Sequence, residues 1–102
     1  MSSITTFLAT TGRFGKSILP EMEAYLQDQS DFNLNKMILQ INEKRSLKKV
    51  LSSSTHVSDS WLSLLSPSHQ KAGGKFIIAL KNGHEPCFAG FESYDESKQI
   101  KP

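Results

Sequence analysis

Apolar residues recur at helical intervals through the first half of the chain. Leu34, Met37, Ile38 and Ile41 fall within an arc of about 100° at 3.6 residues per turn, and Ser30 or Asp31 stands in front of them as an N-cap. The spacing therefore predicts a helix from the low thirties. Leu19, Met22, Tyr25 and Leu26 recur at steps of three and four, with Pro20 in the first turn and Glu21 and Glu23 near a positive helix end. That pattern predicts a helix over residues 18–28, closed by the polar run 27–31. Ile4, Phe7, Leu8 and Thr11 share a third face behind Ser2 or Ser3, and Gly12 is placed to end it. A strand over 4–10 is the rival reading, but its alternation breaks at Phe7 and Leu8.

Beyond Ile41 the pattern inverts. If the helical period is carried on, Lys44, Arg45, Lys48 and Lys49 take over the arc held by the apolar residues, while Leu47, Val50 and Leu51 swing to the other side. Residues 52–60 are serine-rich and read as an exposed loop, because hydroxyls compete for backbone hydrogen bonds. Ser58 then caps a helix carrying Trp61, Leu64 and Leu65, which Ser66 and Pro67 interrupt. A short turn over 67–72 follows, ended by Gly73 and Gly74.

Residues 75–81 are the best strand candidate, with Phe76, Ile78 and Leu80 on one face and Ile77 and Ala79 on the other. Asn82–Gly83 signals a hairpin, widened into a loop over 82–85 because a two-residue turn would place Pro86 in a hydrogen-bonded pair with Ala79. Residues 87–94 return as the partner strand, with Gly90 marking a bulge. The expected fold class is α+β, helices packed on a C-terminal antiparallel β-hairpin. It forms a single globular domain over 1–94, followed by a flexible C-terminal tail over 95–102. A hairpin that is apolar on both faces needs cover on each, either from its own core or from a second copy, so homo-oligomerisation through the hairpin is part of the expectation.

Composition narrows the class of protein. The chain has 102 residues, of which 37% are hydrophobic and 22% charged, enough for a modest core but not for a separate catalytic module. The formal charge of +2 is mild and names no partner by itself. The single cysteine excludes an internal disulfide framework, and the first residues lack the basic start and apolar run of a signal peptide. No stretch approaches the roughly 18 apolar residues of a membrane span. A cytoplasmic location without membrane attachment is expected.

Four constellations bear on chemistry. Residues 10–17, Thr-Thr-Gly-Arg-Phe-Gly-Lys-Ser, copy the end of a phosphate-binding loop, but Thr10 stands where the first glycine belongs and no buried strand precedes it. A plain inter-helix turn accounts for them better. His84 and Cys87 form one close ligand pair where structural zinc needs two, and Cys87 as a nucleophile lacks an assured basic partner, so neither a metal, nor a cofactor, nor catalysis is expected. The sharpest electrostatic feature is the cluster Lys44, Arg45, Lys48 and Lys49 on one helical face. Trp61 suits an interface anchor, although a small core also needs its area and the core role is the weightier of the two readings.

These features point to a small non-enzymatic regulatory or inhibitory protein, of the immunity, antitoxin or phage host-takeover kind, that binds a larger macromolecule. Its expected partner-binding residues are Lys44, Arg45, Lys48, Lys49 and Trp61, with a protein as the leading partner. The alternative is a nucleic-acid-binding module using the basic segment 44–49. Against it, no aromatic side chains interleave with those charges as a stacking platform. A nucleotide-using enzyme built on residues 12–17 ranks last.

Overall fold

A computed structural model describes residues 3–84. These form seven helices: α1 (Ser3–Thr11), α2 (Arg13–Lys16), α3 (Leu19–Gln27), α4 (Asp31–Glu43), α5 (Arg45–Ser53), α6 (Thr55–Leu64) and α7 (Pro67–Lys81). Helix α1 packs on α6, α3 on α4, and α5 sits among α4, α6 and α7, with α2 touching α5 from the side. One apolar cluster runs from Phe7 to Leu80 and draws on all of these helices except α2, whose Phe14 packs against it half-buried.

The first three predicted helices are present with most of the expected faces inward; on α3, however, Leu19 is half-buried and Leu26 is exposed. Phe7 and Thr11 of α1, Met22 and Tyr25 of α3, and Leu34, Met37, Ile38 and Ile41 of α4 are all buried. Ser30 caps α4, its hydroxyl accepting from the Asn33 amide at 3.2 Å. The inversion after Ile41 has a backbone cause. Lys44 adopts an extended conformation, φ −93° and ψ 92°, which ends α4 and starts α5 in a new rotational phase. Leu47 and Leu51 then turn inward, while Lys44, Arg45 and Lys49 stay exposed.

The expected β-hairpin is contradicted, and with it the α+β class: among the described residues there is no strand. Residues 75–81 continue α7, because burial there follows the helical period. Phe76, Ile77, Ala79 and Leu80 are buried while Ile78 is 42% exposed, where an alternating strand would place it beside Phe76 and Leu80. Gly73 and Gly74 do not end the helix. Gly73 is buried where α7 crosses α6, and a Cβ there would overlap Leu65 Cδ1 and lie 3.0 Å from Leu62 Cδ2 and 3.2 Å from Trp61 Cζ3. The missing side chain sets how closely the two helices approach. Asn82 and Gly83 stop α7 instead of turning a hairpin. Gly83 has φ +80°, its amide donates to the Leu80 carbonyl at 3.1 Å, and the His84 amide donates to the Ala79 carbonyl at 2.8 Å, which is a Schellman ending. The predicted partner strand 87–94, its bulge at Gly90 and the tail over 95–102 lie outside the described residues.

The expected serine-rich loop over 52–60 is also corrected. Its hydroxyls support helices: the Ser54 hydroxyl accepts from the Val57 amide at 3.2 Å and caps α6, the role expected of Ser58. Ser58 is buried one turn later and donates to the carbonyls of Leu51, 2.6 Å, and Ser54, 2.9 Å. The interruption at Ser66 and Pro67 is where it was expected, with Pro67 as the first residue of α7. No helix of the described residues is long and apolar enough to cross a membrane.

Candidate functional site

Two segments that stand out separately in the sequence meet in space. The turn after α1 carries Gly12 at φ +60° and leads into α2, which is held against α1 at Gly15. A Cβ on Gly15 would overlap Thr11 Oγ1 and come within 2.9 Å of Leu8 Cδ2, so this glycine serves helix packing and not a phosphate. The element in front of it is helix α1, not the buried strand that a phosphate-binding loop requires. Opposite α2 stands the corner between α4 and α5.

Between them lies a groove of about 480 Å³ lined by Arg13, Phe14 and Ser17 on one side and by residues 43–47 on the other. Three of its lining side chains are cations, Arg13, Lys44 and Arg45, against the single carboxylate of Glu43. All four are exposed. Its accessible apolar part comes from Phe14, half-buried; Leu47 lies beneath the lining, fully buried, and anchors the first turn of α5. The Arg13 guanidinium lies over the Phe14 ring, 5.8 Å from its centroid. Lys44 precedes α5 without a side-chain cap, so the first amides of that helix open in the same region as the cations.

The structure therefore brings Lys44 and Arg45 to the groove and adds Arg13 to them. Lys49 is exposed on α5 outside the lining, and Lys48 is half-buried with an interaction of its own. Neither Lys44, Arg45 nor Lys49 is engaged in an ion pair among the described residues. The sequence expectation missed Arg13, since only tertiary packing sets α2 against α5.

Trp61 is placed elsewhere. It is 0% exposed on α6, in tilted contact with Phe76 at 5.5 Å between ring centroids, and serves the core in this structure. Its Nε1 has no hydrogen-bond partner among the described residues.

A second polar cluster resembles catalytic machinery without its setting. His69 Nε2 meets Asp31 Oδ1 at 2.7 Å, and His69 Nδ1 faces the Tyr25 hydroxyl at 2.8 Å and Ser66 Oγ at 3.2 Å. An acid, an imidazole and a serine hydroxyl are thus in sequence. Yet the imidazole is buried, the Asp31 side chain is 56% exposed, and Ser66 Oγ is shared among Tyr25, Ser68 and His69. The Tyr25 oxygen also accepts from the Ser66 amide at 3.0 Å. Every member is committed to tying α3 and α4 to the start of α7, so the cluster is read as a structural tie.

A smaller pocket of about 170 Å³ lies between α3 and α4, bounded by Pro20, Glu21, Ala24, Asn33 and Lys36. Its carboxylate and ammonium leave it without a dominant charge. Among the described residues no group of three or more His, Cys, Asp or Glu side chains is placed to hold a metal ion, and Cys87 of the sequence-level zinc pair lies outside them. No protein-family model, no curated protein and no solved structure matches this chain.

Proposed function

We propose that this chain is a small non-enzymatic regulatory or inhibitory protein, acting in the cytoplasm, that holds a larger macromolecule against the basic groove between α2 and the α4–α5 corner. One observation carries the reading: Arg13, Lys44 and Arg45, from two distant segments, converge on one concave site with exposed charges and no ion pairs among the described residues. Surface cations scattered over a helical bundle contribute little to recognition, whereas cations gathered around a groove focus their field on whatever enters it. A protein partner with complementary acidic groups is the leading choice.

Nucleic acid is the second reading, supported by the uncapped start of α5 beside the cations, an arrangement suited to phosphate oxygens. The two separate in one experiment. Tagged wild-type protein and a Lys44→Glu/Arg45→Glu variant are used for affinity capture from the native cell type, with and without nuclease, followed by mass spectrometry. The expected result is a protein recovered after nuclease treatment with the wild type and lost with the variant. Loss on nuclease treatment favours the nucleic-acid reading, and equal recovery by the variant rejects the groove.

A further inference from the structure

Resting on the groove reading above, we infer that the occupant is an acidic peptide segment of a partner protein, with an apolar side chain set between its carboxylates. The lining divides in a way that matches such a segment. Arg13 stands on one wall and Lys44 and Arg45 on the other, while the half-buried Phe14 supplies apolar surface over the buried Leu47 and Ser46 supplies a hydroxyl. Carboxylates reaching either wall would leave the intervening side chain facing Phe14. Cations alone would attract any polyanion; the apolar surface of Phe14 adds a requirement that a bare polyanion does not meet.

Size and stacking favour a peptide over nucleic acid. A volume of about 480 Å³ sits within the range of roughly 300–1,000 Å³ typical of sites that enclose a compact group, while single-stranded nucleic acid occupies tracks of about 4–16 nucleotides. Such tracks also need open aromatic faces in succession. Here Phe14 is the one aromatic among the lining residues, it is half-buried, and Arg13 lies over its ring. Glu43 at the rim repels a uniformly acidic ligand and so raises the weight of the apolar contact in deciding what binds.

The test is fluorescence anisotropy with three labelled probes: a glutamate–leucine alternating peptide, a glutamate–serine peptide of equal length and charge, and an oligothymidylate. Each is titrated with wild-type protein, with Lys44→Glu/Arg45→Glu, and with Lys71→Glu/Lys81→Glu, which makes the same change in net charge at exposed sites outside the groove. The inference expects the leucine peptide to bind about tenfold more tightly than the serine peptide, the gain from enclosing part of one apolar side chain. It expects about a tenfold loss with the groove variant and little change with the control pair. Equal affinity for the two peptides overturns the inference. Preference for oligothymidylate, lost in the groove variant, overturns it too but leaves the groove as a binding site. Indifference of all three probes to the groove variant removes both readings together.

Discussion

The crossing of α6 and α7 offers a paired test in which most complications cancel. Gly73 and Gly74 are adjacent helical glycines with ordinary negative φ, so an alanine at either should gain the same helix propensity, about 0.5–1 kcal/mol. Their surroundings differ. A Cβ at Gly74 meets nothing within 4 Å, whereas one at Gly73 overlaps Leu65 Cδ1 and crowds Leu62 and Trp61. All three are side-chain atoms, so the contact can yield, but Leu65 and Trp61 are buried, and inserting a methyl group into such packing costs about 1–3 kcal/mol. Gly74→Ala is therefore expected to stabilise the protein, and Gly73→Ala to range from neutral to about 2 kcal/mol destabilising. Since the propensity gain is common to both, the difference between them is the steric cost alone. At about 4–8 °C per kcal/mol for a domain of this size, the two melting temperatures should differ by at least about 4 °C, read by thermal circular dichroism at 222 nm. Equal melting temperatures would refute the close helix crossing. If both alanines destabilised the protein, these glycines would not lie inside a helix at all.

Other expectations follow from the same geometry. Ser54→Ala removes the cap of α6 and should cost about 1 kcal/mol in urea denaturation, while Ser54→Gly should cost only a few tenths. Tyr25→Phe leaves the Ser66 amide and His69 Nδ1 without the phenolic oxygen and should cost about 1–3 kcal/mol; an unchanged urea midpoint would argue against the tie. Trp61 is the sole tryptophan and is fully enclosed, so its fluorescence should be blue-shifted and resist iodide quenching until the protein unfolds. Free quenching in the native state would place it at the surface. Lys44→Glu/Arg45→Glu alters exposed side chains and should shift stability by no more than about 0.5 kcal/mol per site, so a large loss of helicity would mean that these cations support the fold.

Local periodicity carried the helices whose apolar residues lie at unambiguous steps. Leu34, Met37, Ile38 and Ile41 admit one reading, and their helix and its cap are where the pattern puts them. The run Phe76-Ile77-Ile78-Ala79-Leu80 admits two, because five consecutive apolar residues satisfy a period of 2 as well as one of 3.6. Two flanking glycines and Asn82–Gly83 then tipped the reading toward a strand and hairpin. Physically, the first glycine serves a helix crossing and the last a helix ending, functions that resemble turn signals in one dimension. Serines misled in the same way: Ser54 and Ser58 bond to backbone groups of helices that the sequence alone presents as a loop. At the groove, Lys44 and Arg45 were legible as a charged cluster, but their meeting with Arg13 depends on α2 docking beside α5. No spacing along the chain encodes that. The Tyr25–His69–Asp31 tie was likewise invisible, its members lying 38 to 44 residues apart.

That separation has a kinetic consequence. Contacts closing such long stretches of chain come at an entropic cost that neighbouring helices such as α3 and α4 do not incur, so the hydroxyl, imidazole and carboxylate should engage only after the helices around them have docked. A device formed on the native side of the barrier slows escape from the folded state and hardly touches the approach to it. In stopped-flow chevrons, shortening Tyr25 by its oxygen should lift the unfolding limb and leave the refolding limb in place. The protein's lifetime against irreversible loss would then rest on a few polar atoms, and not on the oily interior that first collapses.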